Sequence, residues 1–595
     1  MSLRYLLLVS DGHRIGDGLV QRVKQSSELG IEYEHNRFVL FANVSSDVLI
    51  SPDGNSIVVG KLFHRHGNPA QVRQLENGDS SLVLKTEGRH LIERFWGSYV
   101  AAVSAAGKCH VLRDPSGGAP CYYGRGGHLT AFASEAALLV DTGFVSPSVD
   151  WEVVGRALFR PHLPLGQTAV SGIFQLLAGC AITIPSAPTE ILNYWNPWDH
   201  IHPQKGSAGN AERLKRIVQA THSAWASCYK NPVVGLSGGL DSSIVAVSLA
   251  QHSRAVSCLT LTTDDPVGDE RAYAQDVCRL IDAQLIETPY RDDVVELGIS
   301  AARDLPIPNG MLHELSYNYA VRDAVERLNA DAFFAGLGGD NVFYLTHSAR
   351  PILDRIQVEG WSRHIFATAN DICAITGASV WEVWRAAVRQ SRHRKQKFDW
   401  PTVRECLSEE FLSEEARNPA VHPWLPPDDT SPVGKVGHVV LLLRALNHIE
   451  HRDKLLSVPM ICPLLSQPVV ELCLSIPTWE SCAGGIDRAV ARNAFSTVLP
   501  ASIARRQGKG GPEGFVAQFI ERNRLQIAER LLDGALADQR LLNRLHLEKI
   551  LLSDQKLSPV DRPRIMTLLD TEAWVNHWSA RGSILANSVS AFDHL

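Results

Sequence analysis

Nowhere in this 595-residue sequence is there a run near the ~20 apolar residues that cross a bilayer. An excess of one charge is also missing. The 58 Lys and Arg against 64 Asp and Glu leave a net −6, too mild for a nucleic-acid or membrane-surface protein. Neither nucleic acid nor a membrane span is therefore expected. The 11 cysteines run from Cys109 to Cys482 without a CxxC pair, an odd and unpatterned set that predicts reduced, mostly buried thiols in a cytoplasmic protein. The histidine pairs His64/His66, His200/His202 and His448/His451 have no Cys or carboxylate at structural-zinc spacing and read as loop or surface residues. The opening MSLRYLLLVSDG is too short in apolar residues for a secretory signal and reads as a buried strand. No internal repeat or low-complexity tract interrupts the chain.

What is present suits a globular enzyme. Apolar residues make up 45% and charged residues 21% of a chain longer than one hydrophobic core supports, so two or three domains are expected. Residues 1–195 alternate short apolar segments with turn signals, as in Phe38–Ala42 and Gly97–Val103, and predict a largely β, layered domain. Residues 196–210 carry prolines, glycines and histidines without apolar periodicity and read as a linker. From Ala211 the rhythm changes: helices at Ala211–Lys230, Ser242–Gln251, Glu270–Ile281 and His313–Leu328 separate extended segments at Val233–Leu236, Val256–Thr262, Leu285–Thr288 and Ala332–Ala335. Helices between short apolar strands imply βαβ units and a doubly wound parallel sheet within residues 211–595. After Tyr344 the pattern is mainly helical, with an insertion over about 345–443. The basic run Arg389–Lys397 reads as a solvated helix face, with peptide binding as the lesser reading, and Trp381 and Trp384 read as packing residues.

Two loops carry chemistry. Val233–Leu236 runs into Ser237-Gly238-Gly239-Leu240-Asp241-Ser242-Ser243 and a helix. Glycines let the backbone approach an anion, and hydroxyls and free N–H groups at a helix start donate to phosphate oxygens. Asp241 beside that anion makes sense if a cation such as Mg²⁺ bridges the two. No Gly-Lys-Ser/Thr follows, so the loop is not a Walker A motif. The second loop, Gly336-Leu337-Gly338-Gly339-Asp340, also leaves a strand. In an open parallel sheet both carboxylates would meet in one crevice and grip Mg²⁺-ATP. A plain Gly-Ser turn is the alternative for each loop alone.

SGGLDSS after a strand, then Asp269-Glu270-Arg271-Ala272-Tyr273-Ala274, then GLGGD, resembles the synthetase domain of asparagine synthetases, enzymes that activate a carboxylate as an acyl-adenylate. Arg113–Tyr123 and Ala131–Glu135 resemble blocks of that family's glutaminase domain. The resemblance implies an Ntn-hydrolase-like N-terminal domain and an ATP pyrophosphatase domain. It implies that Ser237, Gly238, Gly239, Ser242 and Ser243 hold pyrophosphate and that Asp241 and Asp340 hold Mg²⁺. Adenine would lie near Gly235, Leu236, Leu261 and Gly336.

Three departures narrow the expectation. A working glutaminase domain of this family has Cys after the initiator Met; here Ser2 stands there, and a hydroxyl is far less ionised than a thiol. The domain is expected to be inactive. Asparagine synthetases carry Glu, and β-lactam synthetases Tyr, where this chain has Leu337, which neither accepts a proton nor hydrogen-bonds. Finally, His451–Lys454, Pro463–Glu471, Gly484–Arg488 and Arg505–Gly511 look most like the lasso-peptide cyclases. That branch adenylates an Asp or Glu side chain of a ribosomal precursor peptide and closes a macrolactam on the peptide's own N-terminal amine. Its partners would be the precursor core peptide, a leader peptidase and a leader-binding protein. Lys509, among glycines, matches the lysine that β-lactam synthetases set against the adenylate and oxyanion, and Glu513 is a candidate to orient it. Glu450 is a candidate general base, with an ion pair to Arg452 or Lys454, a histidine (His313, His448 or His451) or the adenylate phosphate itself as alternatives. Another amide synthetase, closing a β-lactam or using ammonia, and a non-catalytic nucleotide-binding scaffold remain as rival readings.

Overall fold

In the N-terminal region, two six-stranded antiparallel sheets stack face to face. The first strand, Tyr5–Ser10, shows why: every residue is buried, so both its faces must be covered. Tyr5, Leu7 and Val9 meet Val59, Val100 and Val111 of the opposing sheet. Leu6 and Leu8 face the outer helices Asp17–Ser27 and Ala136–Asp141. On the other sheet, Ala101 and Val103 lie under helices Asn77–Lys85 and Arg89–Arg94. The result is a helix–sheet–sheet–helix stack of the Ntn type. The computed structural model describes residues 2–35, 37–185, 191–201, 209–253, 255–393, 398, 400–426, 428, 430–449, 458–553 and 555–592.

The second domain contains a five-stranded parallel sheet. Pro232–Gly235 is central; Ser257–Thr262 and then Gln284–Pro289 extend it to one side, and the chain returns to place Ala332–Ala335 on the other. These strands and their helices agree with the sequence pattern to within a few residues. Helices Asn210–Ala226, Leu240–Ala250 and Arg271–Ile281 contribute to one core, and Glu314–Arg327 covers the opposite face with Val321, Ala324 and Val325. Because the strand order reverses between Pro232–Gly235 and Ala332–Ala335, a crevice opens at their carboxyl ends.

The region after Tyr344 is mainly helical, as expected, and adds one short strand. Helices Arg350–Glu359, Arg363–Thr376, Val380–His393, Glu409–Glu415 and Val433–Ile449 lead to a two-residue strand, Met460–Ile461, that completes the sheet edge beside Ala332–Ala335. Two residues are too few to show periodicity. The domains join through Glu471, whose carboxylate accepts from both Arg65 Nη atoms (2.6 and 2.9 Å), from Trp195 Nε1 (2.9 Å) and from Gln467 Nε2 (2.8 Å). The first part of the expected linker packs into this junction, with Trp198 Nε1 donating to the Trp424 carbonyl at 3.0 Å. All 11 cysteines are free thiols. No helix among the described residues is long and apolar enough to cross a membrane.

Candidate active site

The two glycine loops meet at backbone distance. A Cβ on Gly336 would sit 2.6 Å from the Ser242 amide nitrogen, and one on Gly339 would sit 2.4 Å from Asp241 Cγ. Gly238 turns through φ +66 against Tyr273, a conformation and a clearance that only glycine accepts without strain. Within the first loop, the Gly239 N–H donates to Ser237 Oγ at 3.3 Å, and the Ser237 and Ser242 hydroxyls lie 3.2 Å apart.

This close approach brings the two carboxylates onto one cation. Arg488 Nη1 donates to Asp241 Oδ2 at 3.1 Å and also to Asp340 Oδ1. Asp487 holds the same guanidinium through Nε at 2.7 Å and is itself held by Arg492 Nη2 at 3.0 Å. Burial pushes the Asp241 carboxyl up to about 7; Arg488 opposes the shift and Asp340 adds to it. Lys509 Nζ stands 3.8 Å from Asp340 Oδ2.

The glycine-rich segment bearing Lys509 is latched at its base. Arg506 donates to Glu270 Oε1 at 2.7 Å and to the Gly238 carbonyl at 3.0 Å, and its guanidinium stacks 3.9 Å from the Tyr273 ring centre. The Gly510 N–H donates to the same Glu270 oxygen at 2.9 Å. Burial raises the Glu270 carboxyl against the pull of these donors. The cleft enclosed by these loops has a volume of about 560 Å³.

The sequence matches the family described as asparagine synthase over residues 230–578, more than half of the chain. The chain belongs to the asparagine synthase family. Members are ATP-dependent, AMP-forming ligases that make amide bonds, so an amide synthetase activity follows for this chain. Residues 75–195 match the glutamine amidotransferase domain family. No curated protein matches the sequence at a significant level. Among solved structures the chain is similar to an allosteric regulatory enzyme of purine biosynthesis, at 11% identity over 49% of this chain and 76% of that one, with a TM-score of 0.20. It is also similar to the glutamine phosphoribosylpyrophosphate amidotransferase of B. subtilis in complex with ADP and GMP, at 10% identity over 56% and 84%, with a TM-score of 0.21. Likenesses that loose add nothing to what strand order and family membership establish.

Measured against the family's chemistry, the cleft fits a triphosphate and Mg²⁺. The Asp241 and Asp340 carboxylates converge on the Arg488 guanidinium, an oxygen pair of the kind that Mg²⁺ takes, beside loops too tight for a Cβ. Gly235, Leu236, Ser237, Gly239, Asp241, Ser242, Leu261, Gly336, Asp340 and Lys509 all line it, as does Leu337. Gly238 and Ser243 do not: Gly238 turns its carbonyl to Arg506, and Ser243 lies fully buried behind the loop. Glu513 opens the next helix, and among the described residues no ion pair joins it to Lys509, so the expected orienting role has no contact behind it. Glu450 and residues 451–457 lie outside the described residues.

Sequence reading gave no role to Arg488, Asp487, Arg492 or the Glu270–Arg506 latch. Asp487-Arg488 and Arg505-Arg506 stood inside stretches that resembled the family. Their long-range partners, however, are 148 and 247 residues away for Arg488 and 236 and 268 residues away for Arg506, a proximity that no local spacing encodes.

Proposed function

We propose that this protein is an ATP-dependent macrolactam synthetase of the lasso-peptide cyclase type. Its reaction has two steps. A carboxylate oxygen of an Asp or Glu side chain in a precursor core peptide attacks the α-phosphorus of ATP, and pyrophosphate leaves. The peptide's N-terminal amine then attacks the acyl-adenylate carbonyl, AMP leaves, the nitrogen gives up a proton, and the ring closes as an isopeptide bond.

The observation that carries this reading is a cleft equipped for adenylation joined to an amidotransferase-type domain without a reactive thiol. Its cysteines, Cys109, Cys121 and Cys180, are all buried, and burial pushes Cys109 and Cys180 up to about 12. With Ser2 at the position of the family nucleophile, glutamine is not the nitrogen source and the amine comes from the substrate. Mg²⁺ held by Asp241 and Asp340 would supply charge neutralisation at the phosphates. The serine hydroxyls and loop amides orient the phosphate chain, and the Glu270–Arg506 latch holds Lys509 at the cleft mouth, where its ammonium stabilises negative charge developing on the adenylate and the tetrahedral carbon's oxygen. Leu337 accepts no proton, so another group receives the one released by the amine: the adenylate phosphate, a histidine, or Glu450, which lies outside the described residues. Partners on this reading are the core peptide, a leader peptidase and a leader-binding protein.

The test is ATP–pyrophosphate exchange with Mg²⁺, with and without a candidate core peptide that carries an Asp or Glu side chain and a free N-terminal amine. Peptide-dependent exchange, abolished by Asp241→Asn, with a product lighter by one water, is the expected result. Exchange driven by aspartate or another small carboxylate instead would assign a different amide synthetase. Retained ATP binding with no exchange on any carboxylate would leave a nucleotide-binding scaffold.

A further inference from the structure

Outside the lining of the nucleotide cleft, three segments bring a sulfur, a nitrogen and an oxygen together. Cys406 Sγ, a ring nitrogen of His546 and a carboxylate oxygen of Asp561 all lie within 4.8 Å of one another. We propose that they form a binding site for a thiophilic divalent cation of the Zn²⁺ class, which clamps the segment before helix Glu409–Glu415 to the C-terminal helices. The site is separate from the Mg²⁺ carboxylates and does not depend on the proposed reaction.

The surroundings fit such an ion. Cys406 is buried, and its carbonyl accepts from the Asn543 N–H at 2.9 Å, while Leu407 bridges to Leu542; the thiol is thus fixed beside the start of helix Arg544–Leu551, which carries His546. Asp561 opens the long helix Asp561–Phe592. Ser558 Oγ donates to its Oδ2 at 2.6 Å, leaving Oδ1, 3.9 Å from His546 Nε2, as the single donor oxygen. A hydroxyl that orients a carboxylate in this way is the outer-shell support that ligands usually have.

A second observation is a buried cation beside the thiol, whose proton burial otherwise holds by pushing Cys406 up to about 12. Arg564 is 5% exposed, donates through Nε to the Glu405 carbonyl (2.9 Å) and through Nη1 to the Leu158 carbonyl (3.0 Å), and leaves Nη2 buried without a partner. Its favourable electrostatic interactions are with Cys406 and Glu405. The guanidinium's hydrogen bonds are all to neutral carbonyls, and a metal-bound Cys406 thiolate would add a negative charge beside it to that of Glu405, the thiol proton passing to solvent.

Donors on one tetrahedral ion at ~2.0–2.3 Å lie roughly 3.4–3.6 Å apart, so closing the triad takes about 1 Å of movement. His546, 40% exposed, has room to make it. Sulfur and imidazole donors select Zn²⁺ or its relatives over Mg²⁺, and three protein ligands leave a fourth position for water on the exposed side.

Full-length protein, stripped with a chelator, would be dialysed against Zn²⁺ and titrated with Co²⁺ as a spectroscopic probe. Expected are one Zn²⁺ per chain, a thiolate-to-Co²⁺ charge-transfer band in the near ultraviolet, and a higher Tm with Zn²⁺ than without. Cys406→Ser should abolish the band. His546→Ala, at a half-exposed position, should melt like the metal-free wild type yet bind Zn²⁺ at least tenfold more weakly. Asp241→Asn should keep the band, which separates this site from the Mg²⁺ site. No stoichiometric Zn²⁺, a band that survives Cys406→Ser, or unchanged affinity in His546→Ala would overturn the proposal.

Discussion

At Gly339 there is no room for a methyl group, since the added carbon would fall 2.4 Å from Asp241 Cγ. Gly339→Ala should therefore push Asp241 off its place, cut ATP–pyrophosphate exchange at least tenfold, and lower stability by about 1–3 kcal/mol, read from denaturant unfolding. Asp241→Asn keeps the shape and removes the charge; exchange should disappear while the circular-dichroism spectrum stays that of the wild type. The Lys509 side chain is 66% exposed, so Lys509→Ala should leave the melting temperature nearly unchanged. Product formation should nonetheless fall by about 10²–10³, the cost of losing one preorganised charge at a developing anion. The same residues divide what sequence could reveal from what it could not. Asp241 and Asp340 were legible because glycines flank them after apolar strands. Arg488 was not, because a guanidinium shared by two carboxylates is a property of three loops at once.

Among the elements, the segment carrying Lys509 depends on a pair that sequence separates by 236 residues, Glu270 and Arg506. Glu270→Gln keeps an amide oxygen to accept from Arg506 and the Gly510 N–H but removes the negative charge facing that buried guanidinium, which weakens the latch to neutral hydrogen bonds and the Tyr273 stack. The loop should then sample open positions: the KM for ATP should rise severalfold, whereas a purely structural defect would lower Tm without moving KM. Strands and helices of the parallel sheet were readable because each has a clear apolar period and a glycine or polar stop. The edge strand Met460–Ile461 was hidden by its length and by the helices before it. The Cys406, His546 and Asp561 cluster was invisible for a related reason, since metal spacing in sequence reports only ligands on one local element.

For the molecule as a whole, stability should depend on acid in a countable way. Burial pushes His222 down to about 4, and His422 and His438 to about 3, so between pH 6.5 and about 4 the unfolded chain takes up protons that the native state refuses. Each such group removes about 1.4 kcal/mol per pH unit as pH falls. Asp241, raised by burial to about 7, and Asp354, raised by burial to about 6, act with the opposite sign: the native state holds their protons more tightly, which adds stability as pH drops towards 4. Asp241→Asn deletes one of these offsets, so its unfolding free energy should fall more steeply than the wild type's between pH 6 and 4.5, by about 1.4 kcal/mol per pH unit. At the domain junction, Glu471→Ala strands Arg65 and should cost about 3–5 kcal/mol. The sheet's reversal has a further consequence, for the order of assembly. The strands that carry both glycine loops emerge from the ribosome before the helical insertion, but the edge strand, Arg488 and Lys509 follow it. A nascent chain can thus shape the phosphate cradle early, yet its paired carboxylates have no internal counter-ion until the last hundred or so residues arrive. Long-range closures of that kind come late in folding. A stalled or truncated chain would expose a half-built, strongly acidic crevice to cellular cations and to quality control.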